Sequence, residues 1–178
     1  MKITESQIQG LFEIDFVKHN DERGHFVKVF NSNEFRRAGL ASDFAESYYS
    51  ESNKHVVRGL HFQKPPSAHA KLVYCIRGAA IDIVLDLRKQ SSTFLQYVTF
   101  DLNSENAKGL YIPLGCAHGF FALEDHTTLV YHTTTVYNAN DDAGIRWDSI
   151  PYEWPSTDII VSKRDQALPR LENFESPF

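Results

Sequence analysis

Long apolar runs are missing from this 178-residue chain. No stretch approaches the ~20 consecutive apolar residues of a membrane-spanning helix, and Met1–Gln7 lacks the apolar centre of a secretion signal. Basic excess is missing too: 18 Lys and Arg stand against 23 Asp and Glu, a net charge of −5. A nucleic-acid backbone needs surplus cations to displace its counterions, so it is a poor partner. A local basic pocket for a small anion survives that test. Cysteine is scarce, and neither Cys75 nor Cys116 has the C-x-x-C spacing of a zinc or redox site. Both sit in apolar runs and read as buried free thiols of a reducing compartment, which makes the cytoplasm the expected location. Internal repeats and low-complexity segments are also absent.

What remains is ordinary for a folded protein. An apolar share of 42% excludes disorder, and the length suits one domain, residues 1–178, with a core of its own. Leu11–Val17 alternates apolar and polar residues as a half-buried strand does. His19–Gly24 is a turn cluster with Arg23 at its tip, and extended structure resumes at His25–Phe30. Asn31, Ser32 and Asn33 offer caps for a short helix near 32–38 that Gly39 stops. Strands are then expected at 44–52, 56–63, 71–77, 80–87, 94–102, 109–113, 118–123 and 127–137, each bounded by Gly, Pro, Asn, Asp or Ser. Arg77-Gly78-Ala79 suits a tight hairpin. Short strands without crossover helices predict an all-β sandwich or small barrel. From Asp141 the chain turns Pro- and Trp-rich, which predicts an irregular wrap over that barrel.

Chemistry concentrates in Arg58-Gly-Leu-His-Phe-Gln63 and in Lys71. Leu60 and Phe62 flank His61, so by strand alternation the imidazole faces away from both. Arg58 and Lys71 share its side if the chain turns at Lys64–Ser67 and pairs back. Such a face is either a solvated surface or an anion site containing a base. A second histidine follows in Pro113-Leu-Gly-Cys-Ala-His118-Gly119, the pattern of the second half of a cupin-type double-stranded β-helix, or jelly roll. The first half of that signature, rich in His and Glu, is only echoed around His61. A metal needs three or four converging ligands. Here His61, His69 and His118 lack a carboxylate at the expected place, and Lys71 would repel the ion. Metal-free use of the cavity is the expectation, with a metal-dependent cupin isomerase or dioxygenase as the alternative.

From Phe16 to Pro169 the chain resembles the dTDP-4-dehydrorhamnose 3,5-epimerases (the RmlC family). The resemblance is carried by Asp21–Phe26, Val57–Gln63, Lys71–Val73, Asp82–Arg88, Ser92–Phe94, Tyr111–Phe120, Tyr131, Trp147 and Ser162–Asp165. It implies epimerisation at carbon 3, carbon 5 or both of a nucleotide-diphospho-4-keto-6-deoxyhexose, without a cofactor, in deoxysugar biosynthesis for a surface polysaccharide. By the same resemblance His61 is the base, Asp165 orients it, Lys71 faces the developing oxyanion and Tyr131 returns a proton to the other face. Arg23 and Arg58 grip the diphosphate. Phe26, Lys28, Glu46, Tyr48, His118 and Tyr137 complete the substrate site. A homodimer is implied, with N-terminal strands exchanged through Leu11–Phe16 and Phe26–Phe30. A non-catalytic sugar-nucleotide-binding cupin is the other alternative.

The departures from the family pattern cluster where the nucleotide is read. Lys28 replaces a usual Glu, and Glu46-Ser-Tyr48 replaces a stretch that offers amides to thymine. An ionised carboxylate only accepts hydrogen bonds, so Glu46 suits a base that presents donors. That points to CDP or GDP in place of dTDP. His69, His132 and Val136 are milder changes near the sugar, and they leave the number of epimerised centres open.

Overall fold

The computed structural model describes residues 1–178. In chain order the strands are β1 (Lys2–Glu5), β2 (Phe12–Asp15), β3 (Lys18–Asp21), β4 (Gly24–Val27), β5 (Glu46–Ser52), β6 (Val57–Gln63) and β7 (Lys71–Arg77). They continue as β8 (Ala79–Asp86), β9 (Tyr97–Asn103), β10 (Lys108–Ile112), β11 (Cys116–Ala122), β12 (Thr127–Thr133) and β13 (Asp142–Gly144). Two short helices, α1 (Ser32–Arg37) and α2 (Lys163–Gln166), complete the set. Six strands form an antiparallel sheet in the order β1-β2-β10-β7-β12-β5, and five form a second in the order β13-β6-β11-β8-β9. The two layers make a cupin-type jelly roll.

Strand alternation explains how a central strand buries apolar residues on both faces. On β7, Val73 and Cys75 meet Val84, Leu110, Phe120 and Leu129 between the sheets. Leu72 and Tyr74 point the other way, to Ile14, Phe35 and Tyr111 beneath α1. Asn31 caps α1 by accepting from the Asn33 N–H at 3.0 Å, so the helix starts at Ser32, within the span expected from the sequence. Its one buried residue, Phe35, is worth roughly 1.5–3 kcal/mol of transfer free energy. On the far side Leu60, Phe62, Ile83 and Leu85 lie beneath Ile145, Ile150, Phe174 and Phe178 of the C-terminal wrap.

Several sequence expectations need correction. Arg77-Gly78-Ala79 does not close a hairpin: β7 and β8 lie in different sheets, and Gly78 (φ +72°) turns the chain from one to the other. Nor do β6 and β7 pair back after Lys64–Ser67; Lys71 meets His61 across the space between the sheets. Strand β9 begins at Tyr97 because the Asp86 carboxylate gathers Arg88 and the Thr93 hydroxyl, folding the residues between into turns. Strand β12 stops at Thr133, whose hydroxyl donates to Thr135 O at 2.8 Å as the chain bends away. The strands β1, β3 and β13 went unread because they are short and largely polar. Finally, Leu11–Phe16 is no free edge, since β2 is bonded to β1 on one side and β10 on the other. The element that stands apart is the β3–β4 hairpin, a two-stranded sheet of its own.

Candidate active site

A cavity of about 380 Å³ opens between the sheets where the apolar filling stops. The first sheet contributes Lys71 from β7, Tyr131 and Thr133 from β12, and Glu46, Tyr48 and Ser50 from β5. The second contributes Arg58 and His61 from β6 and His118 from β11. Residues 58 and 61 of a regular strand would face opposite sides. Here the register slips: His118 pairs with His61, yet Phe120 pairs with Arg58, so three steps of β6 match two of β11. The bulge brings both side chains to the cavity. Gly59 sits in it at φ +117°, and a Cβ there would lie 2.7 Å from Gly119 Cα.

His61 and Asp165 are 104 residues apart in sequence and meet at 2.8 Å, Nε2 to Oδ1. Ser162 caps α2 by accepting the Asp165 N–H at 3.0 Å, which turns that carboxylate inward. Its Oδ2 accepts the Gly59 N–H at 3.1 Å. Burial works to raise the Asp165 carboxyl, but these hydrogen bonds outweigh it and hold the group below the usual carboxylate range. A carboxylate on Nε2 fixes the tautomer with the proton there, leaving Nδ1 as the basic atom. Burial also keeps the imidazole below the ordinary histidine value, against the pull of Asp165. At neutral pH it is an uncharged base.

Lys71 is 6% exposed and donates to His61 O at 3.2 Å. Burial lowers its ammonium to about 8, with the charges of Asp82 and Asp142 resisting. Tyr131 reaches in from the opposite sheet to His61 and bonds Ser50 Oγ at 3.2 Å. Burial pushes its phenol well above the usual range, so it holds its proton. Tyr48 stacks on that ring at 4.9 Å.

His118 forms a second buried histidine–carboxylate pair, 2.7 Å from Asp82 Oδ2. Arg58 is held by Ser52 Oγ and Glu51 O, both at 2.9 Å, and keeps one nitrogen free for an anion. Glu46 accepts the Tyr137 N–H at 2.7 Å, closing one side of the cavity mouth. Gln63, His69, Asp142 and Arg164 also line the wall, and Arg164 pairs with Asp142 at 2.7 Å. Of these, Gln63 ends the Arg58–Gln63 stretch and Arg164 stands beside Asp165, whereas Asp142 carries no sequence signal of its own. Arg23, Phe26 and Lys28 do not join this cavity within the chain, because they sit on or beside the β3–β4 hairpin. Arg23 is tied to Asp21 at its exposed tip, and Phe26 lines a separate apolar recess. No three His, Cys, Asp or Glu side chains converge as a metal-ligand set, and no helix is long and apolar enough to cross a membrane.

Comparison with known proteins gives a consistent picture. The family model described as dTDP-4-dehydrorhamnose 3,5-epimerase matches residues 5–173. The chain is 38% identical over 168 residues to the dTDP-4-dehydrorhamnose 3,5-epimerase of Shigella flexneri, covering 93% of each protein. It is similar to the crystal structure of the Bacillus anthracis enzyme of that name with TDP and pyrophosphate bound, at TM-score 0.92 and 35% identity, over 96% of this chain and 99% of that one. A Legionella pneumophila 3,5-epimerase in complex with dTDP-4-keto-L-rhamnose aligns at TM-score 0.93 and 31% identity, over 98% and 94% of the two chains.

Proposed function

The chain belongs to the dTDP-4-dehydrorhamnose 3,5-epimerase family, and we propose that it epimerises a nucleoside-diphosphate-linked 4-keto-6-deoxyhexose beside its ketone. The observation that carries this reading is the 2.8 Å His61–Asp165 pair in a cavity whose opposite wall holds Lys71 and Tyr131. A hydrogen on the carbon next to a ketone is too weak an acid for an unaided imidazole, so the enolate must be stabilised as it forms. His61 Nδ1 takes that proton. Asp165 keeps the tautomer and steadies the imidazolium. The Lys71 ammonium faces the oxygen on carbon 4, where a fixed cation in a dry pocket acts most strongly. Tyr131 gives a proton to the opposite face of the planar carbon, and that change of face inverts the centre.

Arg58 suits the diphosphate by the geometry of its guanidinium, and His118 borders the sugar. The protein works as a homodimer. The β3–β4 hairpin crosses to the second copy and brings Arg23, Phe26 and Lys28 to that copy's cavity mouth. The free edge of β5 and the exposure of Phe26 support this arrangement. Two buried free thiols suit a cytoplasmic setting, and the product is a deoxysugar donor for surface polysaccharide. The test is incubation in heavy water with dTDP-, CDP- and GDP-linked 4-keto-6-deoxyhexoses, read by mass. One added deuterium marks one labile centre and two mark both. No uptake with any of the three sugars ends the reading.

A further inference from the structure

Among the charged groups of the cavity wall that the proton transfers leave without a use is the Glu46 carboxylate. Glu46 opens β5, and Lys71, Thr133 and Glu46 are successive cross-strand partners on β7, β12 and β5. Two strand spacings, ~10 Å, separate the ends of that row. A sugar ring reacting at Lys71 does not span this distance. Arg58, held by Ser52 Oγ and Glu51 O, keeps one guanidinium nitrogen free on the cavity wall as the cation for a diphosphate. Beside Glu46, held by its hydrogen bond, stands the exposed Tyr137, an aromatic face at the cavity rim that suits the base of the nucleotide.

The Glu46 carboxylate makes a single hydrogen bond, from the Tyr137 N–H to Oε2, and Oε1 is unengaged. An unpaired carboxylate at the mouth of a site for an anionic ligand repels that ligand unless a donor answers it. It can only accept. Cytosine answers with an exocyclic amino group, and guanine with an amino group beside a ring N–H. Thymine presents one N–H between two carbonyl oxygens, which a carboxylate opposes. The Tyr137 ring, 60% exposed beside Glu46, offers a stacking face for the base.

We propose that Glu46 reads the nucleobase of the substrate and selects one bearing an exocyclic amino group, cytosine or guanine, over thymine. This rests on the epimerase reading for the identity of the ligand, and the two are separable. Titration calorimetry of the wild-type protein with CDP, GDP, ADP, UDP and dTDP ranks the bases directly. The expected result is that CDP or GDP binds about ten- to a hundredfold more tightly than dTDP, the range of a hydrogen bond to a charged group. The ADP arm shows whether any exocyclic amine suffices or the cytosine and guanine edges are distinguished. Glu46→Gln keeps an acceptor for the Tyr137 N–H and adds a donor, so the same ranking is expected to flatten and dTDP to gain. Equal or tighter binding of dTDP by the wild-type protein, or an unchanged ranking in Glu46→Gln, overturns the proposal. Deuterium uptake from any sugar nucleotide together with preference for dTDP leaves the epimerase standing and removes the role of Glu46. Preference for CDP or GDP without uptake from any of them does the reverse.

Discussion

The role of base proposed for His61 turns on which of its nitrogens carries the proton. Asp165 settles that for Nε2, so the pair acts as a unit and both members are exposed to test. His61→Asn is expected to lower turnover by about 10³-fold and Asp165→Asn by about 10²-fold or more, within the range of general-base catalysis. Deuterium exchange measures both, and near-wild-type exchange in Asp165→Asn would deny the carboxylate its part. The pH profile follows from the same groups. His61 must be neutral, so kcat/KM falls on the acid side below the ordinary histidine value. Lys71 must be charged, so it falls again above about 8; a profile still rising past pH 9 would separate Lys71 from the chemistry. His69 bears on stability instead. Burial and the Lys71 charge lower it to about 3, so the unfolded chain takes up that proton first as pH drops. Its contribution is complete above about 6.5 and is lost from there down to about 3. Urea midpoints across that window are expected to fall less steeply in His69→Gln than in the wild-type protein. Residue types were readable in the sequence, since a His, a Lys, a Tyr and a distant Asp in known motifs are visible without coordinates. Their partners were less so. The Asp82–His118 pair and the Glu46–Tyr137 contact join residues 36 and 91 positions apart, and no local pattern announces such distances.

At the scale of elements, the bulge in β6 decides whether the site exists. Alternation put His61 opposite Leu60 and Phe62 correctly, but the same rule puts Arg58 on the wrong side of the strand. The extra residue that corrects it is Gly59, whose positive φ was not foreseeable without the β11 register. Gly59→Ala is therefore expected to destabilise by about 1–3 kcal/mol from backbone strain alone. A Cβ 2.7 Å from both Gly119 Cα and His118 O adds to that cost. The prediction is a clear loss in denaturation midpoint together with loss of exchange activity, because the Gly59 N–H also supports Asp165. A variant of unchanged stability would show that the bulge tolerates a side chain. Long apolar strands such as β7 and β11 were legible because both their faces are buried and turn residues bound them. The exposed β3, with Lys18–Asp21 carrying no apolar alternation, read as a turn.

At the scale of the whole molecule, apolar surface is left uncovered beside the β3–β4 hairpin. Phe26 is 61% exposed and Ile76 55%, and both border the recess of about 260 Å³ lined by Phe16, Val27 and Tyr74. Strand β5 ends the six-stranded sheet with an unpaired edge, and unpaired edges invite another strand. The hairpin that carries Phe26 is bonded to no other sheet of its own chain. The proposed dimer accounts for these features together: each hairpin is expected to cover the other copy's exposed surface, where Arg23 and Lys28 gain an anion to face. Such an exchange has no sequence pattern of its own, because an exchanged strand keeps the same alternation as one in a closed sheet. Sedimentation equilibrium is expected to return twice the 20.4 kDa chain mass. Phe26→Asp is expected to shift the distribution toward monomer and to lower deuterium exchange per chain, with exchange recovering as protein concentration rises. A wild-type protein that sediments at the mass of one chain while remaining active would confine the whole site to the residues of a single copy.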